Sequence, residues 1–394
     1  MKDDIKQPQE EKIIKFPEKN QKREKEKKTK EHNKSRFFIF VAVLAIVIIL
    51  VICSFAIDST FDSTNSVNTE TISLSNANNY DFASYKDGYI LAKDGKISCY
   101  NTNQSIQWEI DGSKTTPKVT TNGKYVLTYY TDYALAVVTD GDETVNITTP
   151  GNVQFGYVNR NGYCALLVDE VGLKNKVVVY NNKGKMIYYR DNPNSFIPHI
   201  AFSDDDKSLV TLELITNDSS VSSCLIVTDV KTNKQISKIV FDNVLPGGCI
   251  FTESNAILAI FDSKILSYNT GGKVNWEADF GGKTLYKYSY DDGIIACVFN
   301  SDDSSSSGSE IAFYNKKGKS EGKFTTSEKV QGIEFKDKNA LLTYGKKLAL
   351  TNMKGEELSR ADITYDMNEI HLMRTKKCAL IVSNSQTAKL LPLQ

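Results

Sequence analysis

The side chains best suited to metal or nucleophilic chemistry in this 394-residue chain are three histidines and seven cysteines. His199 lies in IPHIAF and His371 in EIHLM, while His32 sits in a lysine-rich N-terminal stretch. Zinc sites draw three or four ligands from short Cys/His spacings, and none of those spacings occurs. His199 and His371 are expected on inner strands near a central channel, as packing or lining residues and as the only candidate ligand contacts. No Gly-x-Ser-x-Gly elbow is present to hold a serine nucleophile. Adjacent carboxylates occur at 204–206, 291–292 and 302–303, each in turn-like sequence where a solvated turn is the plain reading. The serine-rich run at 300–310 lacks the regularly spaced oxygen ligands of a calcium loop and reads as an insertion. These residues predict no catalytic group, no metal ligand and no cofactor.

The cysteines point the same way. Cys53 belongs to an apolar segment, and the other six sit mostly inside apolar runs such as YCALLV, GCIF, IIACVF and KCALIV. An even count in an exported domain would also suit disulfides. A domain of this length can bury a core without them, so Cys99, Cys164, Cys224, Cys249, Cys297 and Cys378 are expected as buried thiols.

The segment Phe37–Ile57 runs 21 residues without a charge. At ~1.5 Å per residue a helix of that length spans the ~30 Å hydrocarbon core of a bilayer. Residues 1–36 carry 13 Lys/Arg against 8 Asp/Glu, net +5, and no Lys or Arg follows Arg36 until Lys86. The positive-inside rule places this tail in the cytoplasm. A cleaved signal peptide is the alternative, with Ser54 and Ala56 as small residues, though the apolar run exceeds the usual length. The remaining residues, 58–394, hold 35 basic and 40 acidic side chains, net −5, which gives no electrostatic case for nucleic acid. The predicted organisation is a cytoplasmic tail (1–36), a transmembrane helix (37–57), a polar linker (58–68) and an extracytoplasmic domain (69–394).

That last domain is a succession of short β-prone runs separated by Asn, Asp and Gly. Seven runs end on Asn or Asp at positions 101, 140, 181, 229, 269, 315 and 352, at intervals of 39, 41, 48, 40, 46 and 37 residues. A period near ~40 with four strands per unit is that of a propeller blade. Four of the units continue as Asn-x-x-Gly, where the Asn side chain can bond the backbone and Gly takes positive φ. A second turn recurs as KDG (86–88), TNG (121–123), NRNG (159–162), SDDDK (203–207) and YDDG (290–293).

Gly272-Lys273-x-x-Trp276 and Gly184-Lys185-x-x-Tyr188 resemble the Gly-Lys-x-x-Trp ending of quinoprotein-type propeller repeats. Trp108 and Trp276, the chain's two tryptophans, each stand seven residues after the turn asparagine. SDDDK is similar to the turn of WD-type repeats. The resemblance implies the fold and no activity. The adjacent Cys-Cys pair of quinone-dependent dehydrogenases is missing here. The layout also resembles membrane-anchored propeller proteins of low-GC Gram-positive bacteria.

After Asn352 the chain offers a fourth strand near 358–361 and then three more, leaving the last blade one strand short. Thr69–Leu74 can supply it and close the ring. The prediction is all-β: eight blades (seven the alternative), closed by the N-terminal strand. The expected function is a non-enzymatic envelope binding or scaffold protein, recognising a protein or glycan through propeller loops or the channel mouth. A transmembrane sensor and an envelope enzyme acting on glycan or using a quinone are the alternatives.

Overall fold

A computed structural model describes residues 71–74, 79–113, 115–173, 175–192, 194–217, 220–300, 308–363, 367–373, 378–383 and 387–393. The tail, the apolar segment Phe37–Ile57 and the linker lie outside the described residues, as do residues 301–307 of the serine-rich run. Among the described residues no helix is long and apolar enough to cross a membrane. The unit Val67–Gln394 is an all-β propeller of eight four-stranded antiparallel sheets.

Seven blades are continuous: Tyr80–Asp111, Pro117–Thr148, Val153–Asn192, Phe196–Asp242, Pro246–Asp279, Leu285–Thr326 and Gly332–Asp362. The eighth takes three strands from Met367–Pro392 and its outermost strand from Thr71–Ser73. That ladder pairs Thr71 with Lys389, Ile72 with Ala388 and Ser73 with Thr387, and Leu74 is buried just beyond it. The ring thus closes with the strand assigned from the sequence, in an eight-blade arrangement.

The core lies between blades. Eight apolar clusters form, and each draws on the facing sides of two neighbouring blades, including blades 8 and 1. Both faces of each sheet are therefore covered. Middle strands such as Cys164–Val168, Ile257–Phe261 and Cys378–Ser383 are buried at every position, so they read as unbroken apolar runs without alternation. All six cysteines in the propeller are buried thiols outside any disulfide. Burial pushes Cys164 and Cys249 up to about 12, which removes thiolate at neutral pH.

Within each blade the first strand is innermost. Turns between first and second strands, and between third and fourth, share one face of the disk, here the turn face. The other connections lie on the opposite, loop face. The third/fourth turns obey the local chemistry expected of them. Oδ1 of Asn181 accepts from the N–H of Lys183 and of Lys185 (both 3.0 Å), and Asn101, Asn315 and Asn352 repeat the pattern. The glycine closing the turn has a further task. Gly318 has φ +73°, and a Cβ there would meet the Trp276 ring of the preceding blade at 2.5 Å. Trp276 Nε1 donates to Lys316 O at 2.9 Å. Trp108 lies likewise against Gly141. The tryptophan and glycine of the repeat are one inter-blade contact.

Candidate functional site

Innermost strands have one edge without a strand partner, and their N–H groups need acceptors. Side chains of the preceding blade supply them. Asp81 Oδ2 accepts from Val119 N (2.6 Å), Ser289 Oγ from Phe335 N (2.9 Å), Asp291 Oδ2 from Asp337 N (2.9 Å), and Glu334 from Leu372 N. Lys336 of blade 7 reaches Ser84 Oγ of blade 1 (3.2 Å) and Leu372 O of blade 8 (3.5 Å).

Ser84, Ser289, Asp291, Glu334 and Lys336 line a cavity of about 870 Å³ at the turn-face mouth of the channel, bordered by blades 1 to 7. Several of its other charges are paired. Arg160 meets Asp204 (3.3 Å) and Glu253 (3.6 Å), and Tyr290 donates to Glu253 (3.3 Å). Asp205 accepts from Ser203 Oγ and Asp206 from Asn159 Nδ2, so the Asp204–Asp206 triplet holds turns of blades 3 and 4 together. The cavity is polar, and these charges are engaged between blades; Lys86, Asp87 and Asp292 also line it.

His199 and His371 both lie on innermost strands, of blades 4 and 8, on opposite sides of the ring. They share no site. His199 is partly buried, and burial lowers its pKa. His371 Nε2 stands 3.6 Å from Glu369 Oε2, with its ring 6.5 Å from that of Phe82. Burial opposes protonation of His371, but Glu369, Glu334 and Asp81 outweigh it and raise its pKa. Burial in turn raises Glu334 and Asp81. Sequence reasoning missed these three carboxylates. The available signal was a charge placed inside a β-prone run, as in YDFASY and GIEFK. Among the described residues no three His, Cys, Asp or Glu side chains are arranged to hold a metal ion.

The loop-face mouth differs. Phe196 stands at the start of the innermost strand of blade 4, Leu245 directly before that of blade 5, and Tyr286 second in that of blade 6. Their exposures are 51%, 50% and 49%. Leu245 and Tyr286 line a recess of about 380 Å³ with Pro246, Asp262 and Tyr288. Tyr133 and Val171, on loops of blades 2 and 3, are also exposed on this face. Large exposed apolar side chains grouped at one mouth mark a binding surface more readily than scattered ones do.

A family model, the family of unknown function DUF5711, matches residues 58–390. The chain belongs to the DUF5711 family. No curated protein matches it. Among solved structures this DUF5711 chain is similar to the C-terminal WD40 domain of Sif2 (TM-score 0.58, 10% identity), covering 84% of this chain and all of that one. BamB from Moraxella catarrhalis gives a TM-score of 0.53 at 11% identity, with 83% and 100% covered. Sqt1 from Saccharomyces cerevisiae gives 0.53 at 10%, with 84% and 100% covered. At these identities the likeness concerns the fold, and it agrees with the quinoprotein-type and WD-type repeat motifs.

Proposed function

We propose that this chain is a non-enzymatic, membrane-anchored binding or scaffold protein of the cell envelope. The tail is cytoplasmic, Phe37–Ile57 spans the bilayer, and the propeller stands outside, recognising a protein or glycan at its loop-face mouth. The anchoring part of this reading is supported by the uncharged 21-residue run and the +5 tail. The binding part rests chiefly on one observation. Asp204, Glu253, Asp291, Glu334 and Arg160 at the turn-face cavity are bound to one another or to backbone, whereas Leu245 and Tyr286 stand half-exposed around an open recess. A closed ring is rigid, so such side chains are presented with little ordering entropy to lose.

The test places a photo-crosslinking residue at 245 or 286 in the full chain in intact cells, with position 236 on the outer edge of blade 4 as control. A discrete adduct from 245 and 286, weakened by Leu245→Asp in the chain labelled at 286, is the expected result. Its digestion by protease or glycosidase gives the partner class. An identical smear from all three positions would refute recognition at this mouth.

A further inference from the structure

Lysines on the two faces of the disk are used differently. On the loop face five pair with carboxylates: Lys96 with Asp111 (2.8 Å), Lys176 with Glu170 (2.8 Å), Lys264 with Glu277 (3.1 Å), Lys283 with Glu310 (2.7 Å) and Lys347 with Glu328 (3.1 Å); on the turn face Lys124 pairs with Asp140 (2.5 Å). On the turn face, the third/fourth turns of blades 3 to 7 carry nine lysines. They are Lys183 and Lys185, Lys231 and Lys234, Lys273, the cluster Lys316, Lys317 and Lys319, and Lys354. All nine are exposed, and among the described residues none forms an ion pair.

The same stretches hold three carboxylates, Asp229, Glu356 and Glu357, the last paired with Arg360 (2.7 Å). Asp229 caps its own turn through Lys231 N and Thr232 N, and Glu356 accepts from Asn352 Nδ2. Nine lysines less three carboxylates leave +6 on these turns of a domain that is net acidic. Directly after these turns, exposed aliphatic side chains stand within the first three residues of the outermost strands. These are Met186 (43%), Ile236 (43%), Val274 (46%) and Leu358 (44%).

The chain joins the disk on this same face. Thr71–Ser73 runs antiparallel to Thr387–Pro392, so the chain enters blade 8 from the turn-face side, with Thr71 opposite Lys389 and with Ile72 and Leu74 packed against blade 1. Thirteen residues, 58–70, separate it from the apolar segment. At most ~3.5 Å each, they reach no further than ~45 Å.

We propose that the arc of blades 3 to 7 rests on an anionic lipid surface. Lysines meet headgroup phosphates while Met186, Ile236, Val274 and Leu358 seat at the interface, the mixed chemistry of interfacial binding. A soluble polyanion would use the lysines and leave the aliphatic side chains without a role. This inference rests on the anchored reading above and adds an orientation to it, leaving the loop-face mouth turned away from the lipid.

The experiment reconstitutes the full chain in vesicles of phosphatidylcholine, with or without phosphatidylglycerol, carrying a headgroup quencher. A dye is attached through Asn182→Cys on the arc or Tyr133→Cys on the loop face. Quenching at 182 and not at 133, only with phosphatidylglycerol and lost in high salt, is expected. At roughly five-fold per lysine, K316Q/K317Q/K319Q should weaken apposition about 10²-fold. Equal quenching at both positions, or none with phosphatidylglycerol, overturns the proposal. So does binding to polyglycerol phosphate beads without vesicle quenching, which assigns the arc to a polymer. Alkaline extraction of the chain from both vesicle types would defeat the anchored reading alone. Salt-sensitive flotation with phosphatidylglycerol vesicles, abolished by the triple substitution, still reads the arc in that case.

Discussion

Acidic side chains at a channel mouth invite a ligand, yet Asp81, Asp291 and Glu334 are occupied by backbone N–H groups 38, 46 and 38 residues away. Those separations are about one repeat, so no local pattern could disclose them. The turn asparagines were legible because their partners lie two and four residues on. Histidine protonation depends on the same inter-blade groups. Three carboxylates raise His371 above its ordinary 6.5, whereas burial alone lowers His199. The raised group contributes stability that is fully present below pH ~6.5 and fades as pH rises through its folded pKa. The lowered group does the reverse, its contribution being present above pH ~6.5 and lost as pH falls. Imidazole resonances followed by NMR should show one propeller histidine titrating above 6.5 and the other below. His371→Gln should erase the higher one, and two titrations below 6.5 would contradict the carboxylate cluster.

At the scale of the element, the repeat motif could be seen in the sequence but its purpose could not. Gly-Lys-x-x-Trp looks like a unit within one blade, whereas Trp276 packs on Gly318 of the next. Gly318→Ala must carry a side chain at φ +73° and move the indole ring. The left-handed backbone costs ~1–2 kcal/mol and the displaced ring ~1–3, together about 2–5. Gly281→Ala is the matched control, since Gly281 has φ +65° and nothing lies within 4 Å of where its new methyl group would stand. Urea unfolding should separate the two variants by the ring term, and tryptophan emission should shift red in Gly318→Ala only. If both variants lose the same stability, the indole contact does not join blades 5 and 6.

Over the whole molecule, counting strands from both ends predicted the closure, because a propeller leaves no strand unpaired. The apolar segment Phe37–Ile57 lies outside the described residues, and the side from which the chain enters the disk followed only from the direction of Thr71–Ser73. Closure has a measurable consequence. A chain beginning at residue 69 keeps the strand, while one beginning at 76 loses the three-residue ladder, the Lys93 Nζ to Ser73 O bond (2.8 Å) and the burial of Leu74. At ~1 kcal/mol net per hydrogen bond and ~1.5–3 for the leucine, the loss is about 5 kcal/mol. That is a large share of the ~5–15 kcal/mol that holds a typical domain folded. The outer edge of blade 8 would also be exposed for pairing between molecules. Melting curves should therefore place the shorter chain well below the longer one in Tm, with a tendency to self-associate. Equal Tm values with both chains monomeric would mean that blade 8 is stable with three strands and that the N-terminal strand does not hold the ring.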